Sequence, residues 1–204
     1  MYINSQHIIL ASASPRRQQY LRDMGLQFSV QTAAIDERPL PLEDPAAFVI
    51  RMAREKAAAI RKVYPQSWII SGDTVVCLDG RILGKPVHVE DAVNMLMALS
   101  GRAHLGRTGF CVAHAGQRVE VARSVTTKVC FARSSEATAR AYVATGESLD
   151  KAGAYAIQGV GACLVQAIDG SYSNVVGLPL CELMQVLQEL GVIEPVSSSL
   201  KQGG

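Results

Sequence analysis

The chain of 204 residues sets 20 lysines and arginines against 18 acidic residues, so it lacks the bulk basic surface that drives non-specific nucleic-acid binding. Aromatic residues make up 5 % of it, which leaves few stacking platforms for single strands, and no apolar run approaches the roughly 20 residues needed to cross a bilayer. Neither a nucleic-acid partner nor a membrane is expected. The length suits one large domain or two closely packed lobes with a sizeable core. Asn4, Ser5, Gln6 and His7 interrupt any signal-peptide pattern, so a cytoplasmic protein is expected. The cysteines (Cys77, Cys111, Cys130, Cys163, Cys181) are odd in number, scattered and without CxxC spacing. They read as buried free thiols in apolar surroundings rather than a disulfide framework or a zinc site.

In chain order, the first strong signal is an apolar run at 8–10 leading into Ser12, Ser14, Pro15, Arg16 and Arg17. Ser14 suits a helix N-cap and Pro15 the first helical position, because proline's missing N–H costs nothing there. A helix N-terminus flanked by guanidinium groups can bind an anion, phosphate being the usual one. An ordinary strand–helix junction with solvated arginines has the same pattern. Gly25 then reads as a helix end and 27–32 as a strand. Asp44-Pro45 restarts a helix, in which Phe48, Val49, Met52, Ala53, Ala57 and Ile60 recur at helical spacing and Lys56 sits one turn from Met52.

Residues 68–76 predict an apolar strand with Asp73 at its end, followed by more strand. A carboxylate on an apolar strand needs a cation, a metal or a substrate proton nearby. Asp79-Gly80 marks a hairpin turn and brings Lys85 back toward the mouth of that strand. A helix over 89–100 buries Ala92, Val93, Leu96 and Leu99. Segments 104–114 and 118–132 predict a long antiparallel hairpin. Ser134 or Ser135 caps a further helix that Gly146 ends. Residues 150–159 form a polar, glycine-containing loop of the kind that carries binding residues. A strand over 162–168, a turn at Asp169-Gly170 and a segment at 175–178 lead into a last helix over 180–190. The tail 196–204 is expected to be disordered. Hairpins and helical crossovers coexist, so the fold class is α/β with a mixed sheet.

Two carboxylates (Asp73, Glu37) and several cations (Arg16, Arg17, Lys56, Lys85) suit a magnesium–nucleotide complex. Mg²⁺ takes one or two carboxylates plus waters and substrate phosphates, while basic side chains neutralise the remaining phosphate charge. No P-loop, GxGxxG turn or GxSxG elbow is present, and His7, His88, His104 and His114 lack HExxH spacing. Pattern alone leads to a phosphate-handling α/β enzyme. Lys85 could equally cap a hairpin and Glu37 could be a solvated loop residue.

The ordered motifs resemble those of the Maf family of nucleoside triphosphate pyrophosphatases. The matching stretches are residues 10–17, 35–37, 53–57, 72–75, 84–86, 150–155, 157–159 and 176–180. They are collinear over roughly 8–190, and only Ser71 before Gly72-Asp73 departs slightly from the family pattern. The resemblance implies an elongated fold of two lobes with a nucleotide cleft, akin to inosine triphosphate pyrophosphatases, in a single domain over 1–195. It implies a divalent cation (Mg²⁺, Mn²⁺ or Co²⁺) and cleavage of a nucleoside triphosphate between its α and β phosphates. By position, Asp73 is the proton acceptor and shares the metal with Glu37. Ser12, Ser14, Arg17, Lys56 and Lys85 contact phosphates, and Arg16, Thr74 and Gln158 match the positions that separate subfamilies. That last set resembles the branch acting on dTTP and UTP, with some CTP turnover possible because a flipped amide can serve cytosine. A homodimer is expected on the same basis. The alternative is a nucleotide-binding regulator of septum formation without catalysis.

Overall fold

The computed structural model describes residues 1–196. The predicted tail lies outside the described residues except for Val196, whose N–H donates to Met1 O. A short pair, β1 (Tyr2–Ile3) with β9 (Glu194–Pro195), ties the two ends together antiparallel. Two residues per strand are too few to leave a periodic signal.

The main sheet has seven strands. Parallel strands β2 (Ile8–Leu10), β3 (Phe28–Val30) and the start of β4 (Trp68–Leu78) form one side, in the order β3-β2-β4. The order continues antiparallel through β6 (Ala103–His114), β7 (Val119–Phe131) and β8 (Val165–Asp169), and β5 (Arg81–Leu83) hairpins onto the far end of β4. The expected mixed α/β sheet is therefore what forms, and helices cover both of its faces.

On one face lies α2 (Pro45–Val63). Its start follows from local chemistry: the Asp44 carboxylate accepts from the Ala46 and Ala47 amides at 2.8 and 3.2 Å, and Pro45 takes the first turn. Pro65 follows immediately and disfavours helical geometry at Tyr64, which ends the helix. The buried stripe of Phe48, Val49, Met52, Ala53, Ala57 and Ile60 packs on Ile9, Ile69, Val75 and Cys111. The opposite face is covered by α1 (Pro15–Asp23) and α6 (Leu180–Glu189) at one end, and by α3 (Val89–Leu99) and α4 (Glu136–Ala144) at the other. Strand alternation splits β4 accordingly: Ile69, Ser71, Asp73 and Val75 face α2, and Ile70, Thr74 and Val76 face away.

The structure corrects three expectations. Asp73 is not at a strand end, because β6 pairs β4 continuously from Ile69 to Cys77. The strand predicted over 162–168 begins only at Val165; Gly159–Leu164 coils into 3₁₀ turns and a short helix α5 (Tyr172–Val176) precedes α6. All five cysteines are free, but Cys163 and Cys181 are exposed rather than buried.

Candidate active site

Strand β2 stops at Leu10, with one further bond from Ala11 N–H to Ile70 O at 2.7 Å, and β5 rejoins β4 only at Val76. Between these partners, residues 71–75 of β4 have one edge unpaired by any described strand. That gap is the floor of a cleft of about 820 Å³ at the C-terminal ends of the parallel strands. Every residue singled out from the sequence lines it: Ser12, Ser14, Arg16 and Arg17 from the β2–α1 junction, Glu37 from the loop after β3, Lys56 from α2, Asp73 and Thr74 from β4, Lys85 after β5, and Gln158.

On the α2 side, Lys56 Nζ lies 2.7 Å from Asp73 Oδ1 and 2.8 Å from Glu37 Oε1. The lysine and aspartate side chains are only 12 % and 17 % exposed, so each charge depends on the other in place of water. Two contacts set this distance. Ser71 Oγ donates to Ala53 O at 2.6 Å, one helical turn before Lys56. Gly109, paired with Asp73 across the sheet, lets α2 come so close that a Cβ there would sit 2.2 Å from Val49 O.

On the other face, Arg17 is buried and already committed. Its Nε donates to Gly177 O at 2.8 Å, and its terminal nitrogens donate to Ser12 Oγ at 3.1 Å and Thr74 Oγ1 at 3.0 Å. Burial pushes the Arg17 pKa down, against the opposing pull of the Asp73 charge. Thr108 gives its hydroxyl proton to Asn174 O, so at 2.9 Å it accepts from Thr74, which in turn accepts from Arg17. Thr74 is thus one link in a chain joining Arg17 to β6. Ser14 occupies the N-cap of α1 without a side-chain cap bond, which leaves the first amides of that helix free for an anion.

The far wall is looser. Gly153 N–H donates to Gly84 O at 3.0 Å and fastens the loop at 150–159 to the one carrying Lys85. Lys151 pairs with Asp150, and both line the cleft. Arg16 leans on Val176 O through Nε at 3.2 Å. Gln158 is exposed, and among the described residues its amide has no hydrogen-bond partner.

Residues 7–190 match the Maf-like protein family. The chain belongs to that family. It is 52 % identical over 193 residues to a protein of Desulfotalea psychrophila named dTTP/UTP pyrophosphatase, covering 95 % of this chain and 99 % of the relative. A Geobacter metallireducens protein of the same name is 47 % identical over 189 residues, covering 93 % and 98 %. A distant likeness in structure is to the Staphylococcus aureus Ham1 protein, at 14 % identity and a TM-score of 0.42 over 62 % of this chain and 72 % of that one.

In this Maf-like chain the donor set for a metal is small. Among the described residues no group of three or more histidine, cysteine or acidic side chains could enclose an ion. Glu37 and Asp73 do converge, since one ammonium touches both. Two carboxylates without nitrogen or sulfur ligands fit a hard cation that completes its shell with waters and phosphate oxygens. Ser71, Thr108 and Gly109 carry no sequence motif of their own. Their roles come from packing between elements that are distant in sequence.

Proposed function

We propose that this chain is a nucleoside triphosphate pyrophosphatase that hydrolyses dTTP and UTP to the monophosphate and pyrophosphate. The observation that carries the reading is the convergence of Asp73, Glu37 and Lys56 in the cleft of a Maf-like chain whose end-to-end relatives bear that activity in their names.

Lys56 holds Asp73 Oδ1, which leaves Oδ2 to take a proton from a water attacking the α-phosphorus. The new bond joins that water's oxygen to phosphorus, the bond to the α–β bridging oxygen breaks, and pyrophosphate leaves. Lys85 and the free amides at the start of α1 face the charge that develops on the phosphates, together with Ser12 and Ser14. Arg17 contributes as a fixed cation, holding Ser12 and Thr74 in place while two of its five N–H groups remain to reach a phosphate. A divalent cation on Glu37 and Asp73 (Mg²⁺, Mn²⁺ or Co²⁺) would shield the polyphosphate charge when bound.

At the base end, uracil and thymine offer acceptor, donor and acceptor along one edge. The Gln158 amide can accept from N3–H and donate to one carbonyl while Arg16 donates to the other. A homodimer in the cytoplasm belongs to the same reading; no helix among the described residues is long and apolar enough to cross a membrane. The test is pyrophosphate release from UTP and dTTP with Mg²⁺ and with EDTA. Metal-dependent release of pyrophosphate with the monophosphate is expected. Binding without turnover would favour the regulator instead, and orthophosphate as the product would overturn the bond assignment.

A further inference from the structure

Among the described residues no side-chain hydrogen bond aims Gln158, yet the backbone on either side of it is tied down. Ahead of it, Ala156 N–H donates to Tyr142 Oη at 3.1 Å. After it, Val160 and Gly161 N–H donate to Glu147 Oε1 and Oε2 at 3.1 and 3.3 Å. Tyr142 is buried near the end of α4, and Glu147 follows the Gly146 turn that closes that helix, so both ties lead to the C-terminal end of α4. We infer that Glu147, through its carboxylate on the Val160 and Gly161 amides, is a positioning residue for nucleobase selection by Gln158. This inference rests on the proposed base-reading role of Gln158.

The contact is specific in its shape. Gly159 has φ +70°, and a Cβ there would lie 2.7 Å from Glu147 Oε1. The carboxylate therefore lies against a backbone that has to be bare. A Cβ on Gly161 would in turn meet Ala156 O at 2.3 Å and Tyr142 Oη at 2.7 Å, so the turn closes tightly on itself. An ionised carboxylate on two successive amides makes stronger bonds than a neutral acceptor. It does this outside the cleft, since Glu147 is not among the lining residues. A planar amide has to present its oxygen to N3–H and its nitrogen to a carbonyl in one orientation, and small misplacements at such a site cost much. With Glu147 removed, the 159–161 backbone is free to leave its turn, and Gln158 loses its aim while remaining present.

A double-mutant cycle separates positioning from simple stabilisation. Affinities for the non-hydrolysable α,β-imido analogues of UTP and GTP are measured by calorimetry on wild type, Gln158→Ala, Glu147→Ala and the double variant, with kcat and KM on UTP alongside. Glu147→Ala and Gln158→Ala are each expected to weaken UTP-analogue binding about tenfold, and Glu147→Ala to raise KM far more than it lowers kcat. It should reduce the UTP-to-GTP preference by the same factor, and the double variant should be no worse than about twofold below either single one. Glu147→Gln keeps one acceptor oxygen but sets its NH2 against the other backbone donor, so it should show an intermediate loss of about threefold, and it serves in its place if Glu147→Ala does not fold. Wild-type binding in Glu147→Ala and Glu147→Gln beside a weakened Gln158→Ala overturns the role of Glu147. Losses that multiply in the double variant overturn it as well, because Glu147 would then act other than through Gln158. Unchanged binding in Gln158→Ala overturns the base-reading role and this inference together, whereas absent turnover with the cycle intact overturns only the proposed activity.

Discussion

Lys56 and Asp73 face each other across the α2–β4 interface at 2.7 Å, and the lysine reaches Glu37 with the same ammonium. The pair is held from behind by Ser71 on Ala53 O and by the bare backbone of Gly109 under Val49. Both ions are largely shielded from water, so loss of Lys56 leaves Asp73 without its ion-pair partner, whereas loss of the Asp73 charge leaves Lys56 paired with Glu37. This arrangement holds the Asp73 carboxylate in place between α2 and the cleft.

Asp73→Asn is therefore expected to fold and to bind nucleotide while losing kcat by about 100-fold or more, the scale of removing a general base. The amide keeps the shape and lacks the proton acceptor. Circular dichroism and nucleotide calorimetry check the fold and the site. Near-normal turnover in the folded variant would remove Asp73 from the chemistry.

Lys56→Ala and Lys85→Ala should each cost a few kcal/mol, roughly 2–4, in transition-state stabilisation measured as kcat/KM on UTP. The two should differ in a measurement made without nucleotide. Lys56 lies where the two carboxylates meet, so its loss should tighten Mn²⁺ binding followed by electron paramagnetic resonance, whereas Lys85→Ala should leave that affinity unchanged. Equal Mn²⁺ affinity in wild type and Lys56→Ala would mean that the ammonium and the cation do not share a place.

Local chemistry explains how much of this was legible in the sequence. The Asp44 cap and the Asp79-Gly80 turn are signals within four residues and form as read, and of the two serines offered as the α4 cap it is Ser135 that takes the place. The periodicity of α2 correctly put Lys56 on a helix, but its meeting with Asp73 depends on the depth at which that helix sits on the sheet. Arg17 and Gly177 are 160 residues apart, and nothing near either one announces the bond. For the same reason Arg17 looked like a free cation although three of its donors are engaged. The 162–168 strand starts late because Gly159–Leu164 coils into 3₁₀ turns, the first of which is held by Glu147, 13 and 14 residues before Val160 and Gly161.

Gly109→Ala tests that depth directly. A methyl group 2.2 Å from Val49 O and 2.8 Å from Ile50 N cannot be relieved by a side-chain rotation, so α2 has to shift. Overpacking of this kind costs about 1–3 kcal/mol or more, and urea unfolding should show it. Activity should fall further than stability explains, because Lys56 moves with the helix. Unchanged stability with full activity would show that the α2–β6 contact is not a constraint on the site.

Gln158→Glu tests the chemistry of base reading. A carboxylate can accept from N3–H but cannot donate to the adjacent carbonyl, and it faces that oxygen with like partial charge. A fall of at least about tenfold in kcat/KM on UTP and dTTP is expected, roughly 1.4 kcal/mol, with no change in metal requirement. Arg16→Ala should act in the same direction. If both variants keep the wild-type preference among UTP, dTTP, CTP and GTP, neither side chain reads the base.

His104 predicts how the fold responds to acid. It is 3 % exposed, set edge-on against Phe131 and Tyr155, with Nε2 2.8 Å from Tyr155 Oη, and burial pushes its pKa down to about 4. An unfolded histidine titrates near 6.5, so as the pH falls below that value the unfolded chain takes up a proton that the native one refuses. Stability contributed by the neutral ring is complete above about pH 6.5, declines toward pH 4 and is lost below it, about 3 kcal/mol in all and about 2 kcal/mol by pH 5. Asp36 and Glu43, each held down to about 2 by an arginine, also lose stability on acidification, but mainly below pH 5, as the pH falls through the ordinary carboxylate range toward their lowered values. Comparing urea unfolding at pH 7 with pH 5 therefore isolates the histidine. His104→Gln, which keeps a polar partner for Tyr155, should be less stable than wild type at pH 7 and should lose about 2 kcal/mol less between the two pH values. Parallel losses in the two proteins would mean that His104 is protonated in the fold at pH 5.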